Sequence, residues 1–203
     1  GMAGGASNFG DSKLGYYNGP RYLGTASTGN SALTILPTYF YAFDSTDTRR
    51  DVTCAQYNIS ATLTIAGRGL HDMVDGKFRR DWTPVTTSGA QYFGINWPII
   101  RYSDVLLMFA EADNEINQNP SAAAIAAYEK VRVRAFSGNA GLIGTTPTNY
   151  AGFFNALMNE RMLELGGEGI RKYDLIRWNK LAERIDWVKA EIAKMVAQKL
   201  LKW

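Results

Sequence analysis

Residues 159–178 read NERMLELGGEGIRKYDLIRW, and the fold turns on this stretch. Leading into it, Phe153, Phe154, Leu157, Met158, Met162 and Leu165 recur at three- and four-residue spacing, which predicts a helix from about Tyr150 to Leu165. Gly166 and Gly167 stop it, because a helix ends readily where the backbone can leave the right-handed region without a Cβ penalty. A further helical segment begins near Ile170 and runs through Leu175, Ile176 and Trp178 to a break near Asn179. A last amphipathic helix then runs from about Leu181 to the end. Glu160, Glu164 and Glu168 follow at i, i+4 spacing, with Arg161, Arg171 and Arg177 placed to pair with them or to cap carbonyls across the Gly166-Gly167 turn. These acids, with Asp174, are therefore read as scaffold and not as a glycosidase-like acid/base pair.

Working toward the N-terminus, a helix is expected from about Tyr102 to Gln118, its broad apolar face made by Val105, Leu106, Phe109, Ala110 and Ala112. Asp104 lies at the helix start, where the dipole favours a negative charge, and Glu111 and Glu115 near the polar edges are candidates to pair with Lys130 or Arg132. Asn119-Pro120 ends this helix, and Ser121 is an N-cap candidate for the next, of about Ala122 to Phe136, with Ile125, Tyr128, Val131 and Phe136 on one stripe. The helix-borne Phe109, Phe153 and Trp178 are assigned to the core. Before about Trp97-Pro98 the character changes to Gly, Ser, Thr, Asn and Tyr with short strand candidates such as TLTIA at 62–66. The expected architecture is mainly α: helical hairpins of tetratricopeptide-like type over 99–203, preceded by a loop-rich segment, 1–98, carrying short strands.

With 46% hydrophobic and 12% aromatic residues, the 203-residue chain can bury a sizeable core, so disorder is not expected. The net charge of +3 is concentrated at the end: from Arg171 to Trp203 there are nine Lys/Arg against four Asp/Glu. Those bases are interleaved with acids along a helical pattern, without the dense basic stripe of a nucleic-acid binder. Solvation or docking of that last helix is favoured over an anionic membrane surface. A single cysteine, Cys54, has no internal partner for a disulfide, and a single histidine, His71, cannot supply a typical zinc site. His71 stands beside Asp72 and Asp75, but no calcium-loop signature supports a metal there, and no cofactor or metal is expected. The leading Gly1-Met2 says nothing about the natural start.

Two segments carry a resemblance. RYSDVLLMFAEADNE at 101–115 and NERMLELGGEGIRKYDLIRW at 159–178 resemble, in residues and in order, the signature segments of the SusD/RagB family. YEKVRVRAF at 128–136 and FDSTDTRR at 43–50 resemble two further elements of the same proteins. The resemblance covers roughly residues 40–180 and implies the C-terminal portion of a nutrient-binding lipoprotein of the bacterial outer membrane, surface-exposed. Its signal peptide and lipidated cysteine are expected upstream of this chain; Cys54 is not that site. The resemblance further implies a non-enzymatic role: capture of an oligosaccharide, or another nutrient, for a SusC-like TonB-dependent transporter. The ending departs from the family pattern, because a Lys-rich helix stands where a Pro/Asn-rich C-terminus is usual.

Sugar recognition needs flat aromatic rings for the apolar faces of pyranoses and fixed polar groups for their hydroxyls. The segment before Trp97 has that composition, and the candidate ligand-binding residues are Tyr16, Tyr17, Asn18, Tyr22, Tyr39, Tyr41, Trp82 and Tyr92, near further aromatics such as Phe40, Phe43 and Trp97. For any single one of them packing is the stronger reading; as a group they point to a ligand. The competing reading from another class is a helical-repeat adaptor that binds a protein partner and no sugar.

Overall fold

The computed structural model describes residues 13–23, 30–60, 62, 64–79, 82 and 95–198, with the side chains of Tyr22 and Leu23 excepted. In chain order the elements are helix α1 (Leu14–Tyr17), strand β1 (Tyr22–Leu23), helices α2 (Pro37–Phe40) and α3 (Arg49–Thr53), and strands β2 (Cys54–Ala55), β3 (Tyr57–Ser60), β4 (Ile65–Gly67) and β5 (Val74–Asp75). Helices α4 (Tyr102–Asn117), α5 (Ala122–Ala135), α6 (Tyr150–Leu165), α7 (Arg171–Arg177) and α8 (Leu181–Ala197) follow. The expected class, mainly α with short strands confined to the first half, is the class observed. The chain divides into one unit of residues 43–49 and 98–182, and another of residues 1–42, 50–97 and 183–203.

The helical unit is two hairpins built on caps that the sequence supplies. α4 ends where Gln118 turns left-handed at φ 54°, and α5 starts at Ser121, whose Oγ accepts from the Ala124 amide at 3.2 Å. The same hydroxyl donates to Asp113 Oδ2 at 2.9 Å, and the Ser121 amide donates to Oδ1 at 2.8 Å, so the cap is tied back to the last turn of α4. α6 begins at Asn149, whose side chain accepts from the Gly152 amide at 2.8 Å. It ends at Gly166, and Gly167 and Gly169 then take φ of 78° and 74°, a region that L side chains rarely adopt. Asn179 at φ 54° separates α7 from α8, at the expected break.

Leu107 and Ala110 of α4, Ala124, Ala127, Tyr128 and Val131 of α5, and Phe153 and Leu157 of α6 form one buried cluster. The alanines let α4 and α5 approach closely. Phe153 meets the Tyr128 ring edge-to-face at 5.4 Å, an arrangement the ring quadrupoles favour. Burying Phe153 contributes on the order of 2 kcal/mol by area alone.

The α4 face differs from expectation. Phe109 and Val105 are about half exposed, whereas Asp104, Glu111 and Asn114 are buried beside Leu107 and Ala110. Hydropathy alone places the aromatic inside; guanidinium partners from distant parts of the unit make it possible to bury the acids instead. Trp178 is half-buried, not core, and of the three helix aromatics assigned to the core only Phe153 is fully enclosed.

In the other unit, β1 pairs parallel with β3 (Tyr22 opposite Ile59), and β3 pairs antiparallel with β4 (Ile59 opposite Ile65). The strand expected at 62–66 is shifted, since pairing occupies Ile65–Gly67. Cys54 of β2 stands opposite Asp75 of β5; burial pushes its thiol up to about 12, which leaves it a small packed hydrophobe. Among the described residues no helix is long and apolar enough to cross a membrane.

Candidate functional site

The acids and bases of the two signature segments come together in the helical unit as an ion-pair network. Glu160 accepts from Arg49 at 2.6 Å and Arg132 at 2.9 Å. Glu164 is held by Arg49 at 2.9 Å and also by Arg101 and Arg134. Burial alone would raise the Glu164 carboxyl, but Arg101 and Arg134 outweigh it and hold the group at about 2. Glu168 takes the Arg101 guanidinium at 2.7 and 2.9 Å, and Arg101 Nη2 also donates to the Glu164 backbone carbonyl at 2.6 Å. Arg161 sits between Asp104 at 2.8 Å and Asp174 at 2.8 Å, and Arg177 joins Asp174 to Glu111.

Several expected pairings are corrected by this network. Arg161 serves Asp104 and Asp174, not the glutamates of its own helix, and Arg177 serves Glu111 and Asp174. Only Arg171 caps a carbonyl as anticipated, donating to Met158 O at 2.9 Å. Glu111 and Glu115 do not take Lys130 or Arg132: Glu111 pairs with Arg177, and both Glu115 oxygens accept from the Tyr150 hydroxyl at 2.9 Å. Asp104 is fixed by a buried ion pair, with the helix dipole secondary.

The expected ligand residues lie in the other unit. Tyr16 is half-buried and Tyr17 exposed on α1, their rings edge-to-face at 5.0 Å. Asn18, the α1 C-cap, is buried, and its Oδ1 finds no hydrogen-bond partner among the described residues. The Tyr22 backbone belongs to β1; its side chain and the whole of Tyr92 lie outside the described residues. Tyr39, half-buried, lies in α2 and Tyr41, 60% exposed, is its C-cap; Phe40 packs edge-on against Tyr41 and under the Arg50 guanidinium at 5.0 Å. Trp82 is 61% exposed. His71 pairs with Asp72 at 3.4 Å, and Asp75 Oδ1 accepts from the Lys77 amide at 2.9 Å.

What joins part of this set is a residue the sequence did not single out. Arg79 is buried, and its guanidinium donates to Gly76 O at 2.7 Å, to Val52 O at 2.9 Å and to the Tyr57 hydroxyl. It lies under the Trp82 ring at 4.3 Å and beside that of Tyr57 at 5.6 Å. Gly19, at φ 82° directly after Asn18, packs on the Arg79 backbone so closely that a Cβ would stand 2.9 Å from its Cα. The preceding residue, Phe78, stacks on Trp97 at 5.1 Å with the rings 19° apart. Tyr57 and Trp82 are thus grouped around Arg79, with Gly19 packed on its backbone, whereas Phe40 and Tyr41 meet at the end of α2. Only the run FRRDW at 78–82 hints at this centre in the sequence.

Fold and network define a tetratricopeptide-like helical scaffold whose buried charges are paired with one another, with exposed aromatics carried on the strand-bearing unit. Comparison with known proteins gives the family. The SusD family profile matches residues 41–199, and the chain belongs to that family. SusD-like protein P25 of Formosa agariphila is 42% identical over 92 residues, covering 42% of this chain and 16% of that protein. A SusD homolog from Bacteroides thetaiotaomicron superposes with TM-score 0.81 at 24% identity, over 93% of this chain and 42% of the other. A laminarin-binding SusD-like protein superposes with TM-score 0.61 at 26% identity, over 88% and 38%. The chain therefore spans less than half the length of these relatives.

Proposed function

We propose that this chain is part of a non-catalytic protein that binds an oligosaccharide at the bacterial outer-membrane surface and delivers it to a SusC-like TonB-dependent transporter. The observation that carries the reading is the family match over residues 41–199. The laminarin-binding relative supports a glycan as the ligand class, and the exposed Tyr17, Tyr41, Trp82 and Trp97 have the chemistry to stack on pyranose rings. In this reading residues 99–203 are scaffold and residues 1–98 carry the ligand-facing aromatics of one SusD-like domain. The membrane is reached through a lipid anchor outside these residues.

A non-catalytic role is supported by the state of the acids. Glu160, Glu164 and Asp174 are buried and engaged by guanidinium groups, so none is poised to protonate a glycosidic oxygen. Affinity electrophoresis and calorimetry against a glycan panel test the proposal, together with co-purification of the transporter. Binding without turnover is the expected result. Failure to bind any glycan, with recovery of a protein partner alone, would replace it by the adaptor reading.

A further inference from the structure

Helix α4 carries two faces of opposite kind. The inner face packs Leu107 and Ala110 into the cluster shared with α5 and α6, and buries Asp104, Glu111 and Asn114 beside them. The outer face holds Tyr102, Val105, Phe109, Ala112 and Ile116, at alternating spacings of three and four residues, and all five are exposed. Phe109 keeps 47% of its surface in water and Ile116 80%. At roughly 3.6 residues per turn these side chains fall within about a quarter of the helix circumference and run for about 21 Å along it. No charge stands within the stripe. Asp113 and Glu115 border it, one bound to Ser121 and the other to the Tyr150 hydroxyl.

Single exposed apolar residues are ordinary on a protein surface; a continuous uncharged stripe of about four turns is not. Its three-four spacing is that of a packing seam, which receives the side chains of one facing helix. A strand presents side chains at every second residue and does not match it.

Position in the stack decides which helix. The hairpins α4–α5 and α6–α7 follow one another, and α4 is the first of these four helices. In a stack of helical hairpins each repeat buries its face on its neighbour in sequence, and a terminal repeat needs a polar outer face. The outer face of α4 is apolar, which suits an inner helix and not a terminal one. Among the described residues before it, no helix is longer than the five residues of α3, too short to cover the stripe. The chain meanwhile spans 42% of the length of the SusD homolog on which it superposes, so most of a relative of that size lies outside these residues.

We propose that the outer face of α4 is the docking face for a helix from the part of the natural polypeptide that precedes residue 1, one that presents its own uncharged three-four stripe. The α4–α5 hairpin is then an inner repeat of a longer stack, and residues 1–98 are an excursion between two adjacent repeats. The inference does not depend on which ligand the protein takes.

The test uses the intact natural protein. Ala112→Cys, in the middle of the stripe, and Asn119→Cys, in the exposed turn after α4, are labelled with a maleimide in separate variants. The Asn119→Cys variant should react at least about tenfold faster, and urea should bring the two rates together. A benzophenone photo-crosslinker placed at position 109 should yield, on mapping by mass spectrometry, an adduct to a peptide that precedes residue 1. Ile116→Gln should lower the melting temperature by several degrees, where a solvated isoleucine would leave it unchanged. Equal labelling rates, or an unchanged melting temperature, overturn the proposal. So does an adduct to residues 1–98, to a transporter, or to a second copy, the last accompanied by protection that is lost on dilution.

Discussion

Arg161 donates through Nε to Asp174 Oδ2 at 2.8 Å, and both side chains are buried. The same guanidinium holds Asp104 at 2.8 Å, so one cation ties the start of α4 to α7 through α6. Removing the cation orphans the buried Asp104 and leaves Asp174 with Arg177 as its remaining guanidinium partner. Arg161→Met should destabilise the helical unit by about 3–5 kcal/mol, the usual cost of orphaning a buried charge. Asp104→Asn should cost clearly less, since Asp174 still neutralises the arginine. Urea denaturation followed by circular dichroism distinguishes the two; equal effects would mean that the three groups do not share one cation.

The Glu164 carboxyl sets an acid limit on the same unit. Its folded value of about 2 lies below the model-compound value of 4.5. The sign follows: the stabilisation is fully present above the unfolded value and is lost as pH falls from about 4.5 toward 2. The difference corresponds to roughly 3 kcal/mol. Glu164→Gln should flatten the pH dependence of stability in that window, while lowering stability at pH 7 because Arg49, Arg101 and Arg134 lose their shared acceptor. Melting temperatures measured between pH 2 and 7 check both effects.

These two networks mark the limit of what local pattern conveys. The Ser121 cap and the Gly166-Gly167 stop were legible, because they stand in sequence next to the helices they bound. The outward turn of Phe109 was not, because it depends on Asp104 and Glu111 being neutralised by Arg161 and Arg177, which lie 57 and 66 residues away. Arg79 was missed for the same reason, its hydroxyl partner Tyr57 being 22 residues back, and the left-handed Phe78 leaves no compositional trace. The aromatic richness of the first segment was visible; which rings share a support was not.

The α6 cap and core give a paired check on the helical unit. Asn149→Ala removes the acceptor for the Gly152 amide and should cost about 1 kcal/mol. Phe153→Ala empties the space against Tyr128 and should cost about 3–5 kcal/mol. Denaturant midpoints that reversed this order would contradict the placement of Phe153 at the centre of the unit.

Two glycines of the strand-bearing unit should respond in opposite ways. At Gly76 a Cβ would collide with the Val52 carbonyl oxygen, which is backbone and cannot step aside, and would crowd Arg79 Nη2. Gly76→Ala should therefore displace the guanidinium from its seat, costing about 1–3 kcal/mol, and the Trp82 environment should change with it. Gly67, in β4, has nothing within 4 Å of the same added atom and needs no left-handed backbone. Gly67→Ala should leave stability unchanged or raise it by about 0.4–1 kcal/mol, since it narrows the unfolded ensemble. Thermal melts combined with near-ultraviolet circular dichroism separate the two outcomes. A tolerated Gly76→Ala with an unaltered tryptophan signal would show that Arg79 is not wedged where its hydrogen bonds place it.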